Sequence, residues 1–251
     1  MCNDSGIQVI DRTASLLDAL ARHKQASLKT LAAETGLHSS TAFRILASLQ
    51  SHGWVARDGA GAYVLGSGLM RYAARAGEQV DLRQAALPIM ARLRDQTGET
   101  VNLTMREGDE VIYVERQISN RLMRVEQVIG SRAPLHVTAV GKLMLGEGTA
   151  ESCREYARRT GLPPYTANTI TDAGRLCEAA AQVRIQGYAF DDEEAEIGVG
   201  CIGVLVRDAA GHAVAGLSIS APRERRKDTW VALLQQAGQE LSQRLGHFAQ
   251  P

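Results

Sequence analysis

Apolar residues recur every three to four positions through the first hundred residues, and from Thr100 they largely alternate. That change of period predicts a helical N-terminal region followed by a mixed α+β region. Over Val9–Ala21, Ile10, Ala14, Leu17 and Leu20 or Ala21 fall on one helical face. HKQA interrupts the run. Ser27 is then placed to cap LKTLAAET, and Gly36 supplies the left-handed residue that ends it. Ser39 is the next cap candidate, followed by TAFRILASLQS. Here Ala42, Ile45, Leu46 and Leu49 form the stripe expected to be buried, while Ser40, Thr41, Arg44, Ser48 and Ser51 share the other side. Phe43 lies on the border, placed to pack against the first helix.

A helix, a short glycine turn, and a second helix led by small hydroxyls and one arginine satisfy what a helix-turn-helix requires. Small residues let the second helix sink into a DNA groove about 12 Å wide. Trp54–Arg57 and Ala62–Leu65 then read as two short strands around Asp58-Gly59, which makes the winged form and sets Arg57 near the wing tip. GSGLMRYAARAG reads as a connecting helix. Asp81 caps the next one, in which Leu82, Ala85, Ala86, Ile89 and Leu93 share a face and Pro88 is a kink candidate.

Beyond Thr100, VNLTMREGDEVIYVERQ reads as a hairpin about Gly108-Asp109, and RLMRVEQVIG as a third strand. Thr138 is a cap candidate for a helix running into Lys142. Two more helical patterns follow, then strand material with a turn at Ala209–Gly211, then a closing helix over Asp228–Leu245. This order predicts an α+β sheet domain with helices on one side.

Composition narrows the partners. Of 251 residues 45% are apolar and 22% charged, enough to bury a core and against a disordered chain. Lys+Arg and Asp+Glu both number 28, which excludes a uniformly basic nucleic-acid coat. Residues 1–78 nevertheless hold eight basic and six acidic side chains, with His23, His38 and His52 in addition. Cys2, Cys153, Cys177 and Cys201 form no CxxC pair, so neither a disulfide framework nor a zinc site is expected. No signal peptide or membrane span is evident, and the chain reads as a cytoplasmic protein with no cofactor and no metal.

Three stretches carry candidate chemistry. Gly198, Gly200 and Gly203 spell GxGxxG, but a strand and a turn follow where a dinucleotide site needs a helix. Cys201, His136 and Asp191 are the ingredients of a thiol triad, the enzymatic alternative, although Cys201 lies in an apolar run. The acids Asp191–Glu194 read as a solvated turn. Finally, Ala139, Val140 and Gly141 would offer free N–H groups at a helix start, and Ser218 and Ser220 point to the same face of a strand. Together these could hold a small carboxylate; an exposed edge strand would explain the serines equally well.

The blocks IDRTASLLDAL, LAAETGLHSSTAFRILASLQSHGWV, PLHVTAVGKLMLGEG, GYAFDDEEAEIGVGCIGVLV and GLSISAP, in this order and spacing, resemble the IclR family of bacterial transcriptional regulators over nearly the whole chain. The resemblance implies a winged helix-turn-helix domain over residues 1–65, a linker helix over 66–80, and a GAF-like effector-binding domain over 81–251. It implies a double-stranded DNA operator, a small organic or aromatic acid as effector, and a homodimer or dimer of dimers. Carried onto matching positions, it gives Ser39, Ser40, Thr41 and Arg44 with Arg57 of the wing as DNA-binding. It gives Ala139, Val140, Asp191, Val199, Cys201, Ser218 and Ser220 as the effector pocket. The chain departs from the usual pattern at His38, where many members carry proline or a basic residue, and at Leu143, where alanine is usual.

Overall fold

The computed structural model describes residues 7–78 and 81–248. The chain divides into two compact units, Met1–Gln79 and Val80–Pro251, each with its own apolar core.

The first unit contains α1 (Gln8–His23), α2 (Leu28–Glu34), α3 (Ser39–Ser51), a hairpin of β1 (Val55–Arg57) and β2 (Tyr63–Leu65), and α4 (Gly68–Glu78). The Ser27 hydroxyl accepts the Thr30 N–H at 3.1 Å, and Gly36 takes φ +66°. Ser39 is the first helical residue of α3 rather than its cap, a position held by His38 without a side-chain bond. Leu16 and Leu20 of α1, Leu31 of α2 and Leu46 of α3 close the core with Tyr63. The buried stripe of α1 is therefore Leu16, Ala19 and Leu20, with the expected Leu17 half-buried against the same core, so the expected stripe holds at Leu17 and Leu20 and fails at Ile10 and Ala14. Ile10 and Ala14 are exposed, because the start of α1 lies outside the cover of the other elements. Phe43, expected against α1, is 48% exposed. It stands about 100° around the helix from the buried Ala42.

The wing turn is a five-residue loop, Asp58–Ala62. Gly61, not Gly59, takes the left-handed conformation (φ +82°), and Asp58 Oδ1 accepts the N–H groups of Ala60 and Ala62, both at 2.9 Å. At the exit from the wing, the Gly68 N–H donates to the Gly53 carbonyl at 3.0 Å. A Cβ on Gly66 or Gly68 would stand 2.2 or 2.6 Å from that oxygen.

The second unit runs α5 (Leu82–Thr97), β3 (Thr100–Glu107), β4 (Glu110–Gln117), β5 (Arg132–Pro134), α6 (Ala139–Gly146), α7 (Ala150–Thr160), α8 (Ala173–Gln186), β6 (Ala189–Asp192), β7 (Val199–Arg207), β8 (Ala213–Pro222) and α9 (Trp230–Arg244). Its antiparallel sheet has the order β5-β4-β3-β8-β7-β6. Alternate side chains serve different layers. Val101, Leu103, Ile202, Val204, Leu217 and Ile219 pack on α5 and α9, whereas α6, α7 and α8 cover the opposite face. Helices therefore lie on both faces, correcting the one-sided expectation.

RLMRVEQVIG is not a strand. Two of its carbonyls are taken by side chains of the sheet, Val125 O by the Thr100 hydroxyl at 2.7 Å and Gln127 O by Arg116, and Leu122 and Met123 are exposed. The turn at Asp208–His212 repeats the wing turn, with Gly211 at φ +85° and Asp208 Oδ1 accepting from Ala210 and His212. Cys153 of α7 and Cys177 of α8, distant in sequence, come together. Burial first, and the Cys177 thiol beside it, push the Cys153 thiol up to about 12.

Candidate functional site

Two places gather the residues singled out in the sequence, one in each unit. In the first, Ser39, Ser40 and Arg44 are exposed on α3 and Thr41 is half-buried. Thr41, Arg44 and Ser48 border a groove between α1 and α3, whose far side carries Arg12 and Thr13 of α1. Arg12 was not singled out in the sequence, because its helix gives no sign of which side faces α3. Arg57 leaves the end of β1 and lies back on the wing. Its Nη2 donates to the Tyr63 hydroxyl at 2.5 Å, and its guanidinium lies 4.5 Å from the ring centre. One of its five N–H donors is thereby used.

The second place lies between the sheet and the start of α6. Thr138 caps that helix, its hydroxyl accepting the Gly141 N–H at 3.0 Å and its carbonyl the Lys142 N–H. The N–H groups of Ala139 and Val140, the first two of the helix, have no intrahelical partner and no side-chain acceptor among the described residues. Ala139 and Val140 line a cavity of about 70 Å³ together with Asp191, Val199, Cys201, Ser218 and Ser220. Seven of the eight expected effector residues are thus brought together. Gly141 is not among the lining residues. Its N–H is taken by Thr138, and a Cβ there would meet the Leu135 carbonyl oxygen at 2.2 Å.

Register explains the convergence. Cys201 is paired with Ser220, and Ser218 with Gly203 and Asn102, so these residues sit on the α6-facing side of the central strands. The edge-strand reading of Ser218 and Ser220 therefore fails: β8 lies between β3 and β7, and both serines are buried. Cys201 Sγ lies 3.2 Å from Ser220 Oγ, which also accepts from Asn102 Nδ2 at 3.1 Å. Tyr113 and Gln127 line the cavity too, and neither was anticipated. Gln127 lies in the segment expected to be a strand, and Tyr113 reads as one more strand aromatic.

Electrostatically the cavity is acidic. Asp191 is 2% exposed, and burial raises its carboxyl to about 6 although its Oδ1 accepts the Glu194 N–H at 2.8 Å. Burial likewise raises the thiol of Cys201 and the phenol of Tyr113. The Asp191–Glu194 run is not a solvated turn. Glu194 is buried in an ion pair with Lys142, and Asp192 receives Arg223 at 2.9 Å and Arg226 at 2.6 Å.

The thiol triad is not assembled. His136 is fully buried, with Nδ1 3.0 Å from the Tyr156 hydroxyl and Nε2 3.1 Å from the Pro163 carbonyl, so neither ring nitrogen meets Cys201 or Asp191. Burial lowers its basicity. The GxGxxG glycines span a turn and β7, with no helix after them. Among the described residues no cluster of His, Cys, Asp and Glu is placed to hold a metal ion, and no helix is long and apolar enough to cross a membrane.

Comparison with known proteins gives one answer for both units. Residues 9–59 match the IclR helix-turn-helix domain, and residues 74–243 match the bacterial transcriptional regulator IclR C-terminal domain. The chain is 30% identical over 250 residues to the HTH-type transcriptional regulator BhcR of Paracoccus denitrificans, covering 99% of this chain and 90% of that one. It is 33% identical over 241 residues to the HTH-type transcriptional regulator KdgR of Escherichia coli, covering 94% and 92%. In fold it is similar to the crystal structure of an IclR transcriptional regulator from Silicibacter sp. TM1040, with a TM-score of 0.87 at 23% identity over 97% of this chain and 98% of that one. The chain belongs to the IclR family of bacterial transcriptional regulators, DNA-binding proteins with an N-terminal helix-turn-helix domain and a ligand-binding C-terminal domain.

Proposed function

We propose that the protein, acting in the cytoplasm as a homodimer or dimer of dimers, reads its operator with the exposed face of α3 and releases or engages it on binding a small organic carboxylate in the α6 cavity. Ser39, Ser40 and Thr41 bring the helix close to the bases, Arg44 contacts a base or a phosphate, and Arg57 contacts the backbone beside the groove with the donors that Tyr63 leaves it. A dimer sets two copies of α3 about ten base pairs apart, or a multiple of that.

The observation that carries the effector reading is that Ala139 and Val140, whose helix-start N–H groups have no intrahelical partner, line one cavity with Ser218 and Ser220. N–H groups at a helix start favour an anion. No thiol triad competes for the same residues. The ligand regulates only so far as it prefers one state of the protein, and a tenfold change in operator affinity requires about 1.4 kcal/mol of preference.

The test is a gel-shift titration of DNA from the upstream region of its own gene, with and without a panel of small acids. Ser218→Ala with Ser220→Ala is expected to keep operator affinity within about twofold and to lose the response. A double variant that responds at the unaltered ligand concentration places the effector elsewhere.

A further inference from the structure

The cavity assigned above to a carboxylate has no cation of its own. None of its lining residues is Lys, Arg or His, whereas Asp191 and Glu196 are among them. The charged groups around Asp191 are already matched. On α6, Lys142 is paired with Glu194. Beyond β8, Arg226 reaches the Asp191 carbonyl at 3.3 Å but spends its charge on Asp192 and Asp228, and Arg223 also binds Asp192. Glu193 turns away to accept the Gly198 N–H at 2.7 Å. On β7 and β4, Cys201 and Tyr113 keep their protons through burial. Glu196 lies exposed at the mouth. Lys142 favours the charged form of Asp191 from a distance, but among the described residues Asp191 is the buried carboxylate of the cavity lining with no ion-pair partner.

Two carboxylates in one buried space cannot both stay ionised. Helix-start N–H groups and serine hydroxyls solvate one negative charge, not two. We propose that the cavity takes a small monocarboxylic acid together with one proton, which resides on Asp191 and lets that side chain donate a hydrogen bond to the ligand. The inference rests on the carboxylate reading above. Burial already holds the free carboxyl at about 6, so the approach of an anion moves it through neutrality. The ligand class follows. At roughly 15 Å³ per water-sized sphere the space holds about five of them, which suits a two- or three-carbon acid. A dicarboxylate would bring a second charge that nothing in the cavity neutralises.

The experiment is isothermal titration calorimetry of the full chain with acetate, glycolate, lactate and malonate. It is run from pH 6 to 8, in phosphate and in Tris so that proton transfer is counted from the buffer heats. About one proton is expected to be taken up per monocarboxylate at pH 7.5. The apparent Kd should rise by close to tenfold per pH unit between 6.5 and 8, with malonate at least tenfold weaker. Asp191→Asn, which keeps the oxygen that accepts the Glu194 N–H, should bind with a pH-independent Kd and no proton uptake. Wild-type binding with no buffer dependence and a flat pH profile overturns the inference and leaves the carboxylate reading standing. No heat from any of the three monocarboxylates at pH 6 overturns both.

Discussion

Asp191 is held against its own ionisation. Its carboxyl titrates at about 6 in the folded chain against an ordinary 3.8, and below 3.8 it is neutral in both folded and unfolded states. The penalty is therefore absent in acid, grows as pH rises from about 4 to 6, and is complete above that. Two units correspond to about 3 kcal/mol. Asp191→Asn is expected to be more stable than the wild type by about 2–3 kcal/mol at pH 7.5, with the two converging by pH 4 in urea denaturation. A constant offset across that range would show that burial of the charge is not the cause. Sequence displays this residue only as the first of four acids, which is the composition of a solvated turn. Its real surroundings come from Lys142, 49 residues earlier, and from Arg223 and Arg226 after β8, and no spacing rule links those positions.

At the scale of elements, the start of α6 rests directly on two glycines of the sheet. A Cβ on Gly203 would meet the Val140 nitrogen at 2.9 Å, and one on Gly216 would meet Val140 Cγ1 at 2.3 Å. Gly203 thus serves as a spacer that lets a helix end approach, which accounts for a glycine in a β7 run that otherwise mimics a nucleotide motif. Gly216→Ala is expected to cost about 1–3 kcal/mol by overpacking. It should also weaken effector binding, because the N–H groups of Ala139 and Val140 move with the helix. Adding Val140→Ala removes both clashing methyls and should recover part of the lost stability, measured by thermal denaturation. No recovery would place the strain elsewhere.

Local elements were the legible part of the fold. Caps at Ser27, Asp81 and Thr138 follow from single residues, and the two D-x-A-G-x turns fold alike because an Asp side chain closes each one. The 121–130 segment was not legible. Its apolar residues have strand spacing, yet side chains of β3 and β4 bind two of its carbonyls where a strand would have met backbone.

For the whole molecule, a formal charge of zero makes operator binding depend on a few placed cations rather than on bulk attraction. Arg44 is the cation on the exposed face of α3. If it reads a base, Arg44→Ala should weaken operator binding by roughly 1–3 kcal/mol and relax selectivity at one position of each half-site. Unchanged affinity in the gel shift removes it from the interface. The seven cavity residues were recognisable in the sequence through short blocks far apart. Their convergence follows from the register of β7 on β8 and the seating of α6, which are properties of the assembled sheet.

The contact among Gly53, Gly66 and Gly68 bears on how a signal reaches the bases. Backbone meets backbone where Gly53, just past α3, receives the Gly68 N–H at the start of α4, and the Trp54 ring packs edge-on against Tyr72 of α4 beside it. A twist of α4 is therefore expected to turn α3 with it, and a bulkier residue at Gly66 or Gly68, which must push the Gly53 carbonyl away, to loosen the coupling between them.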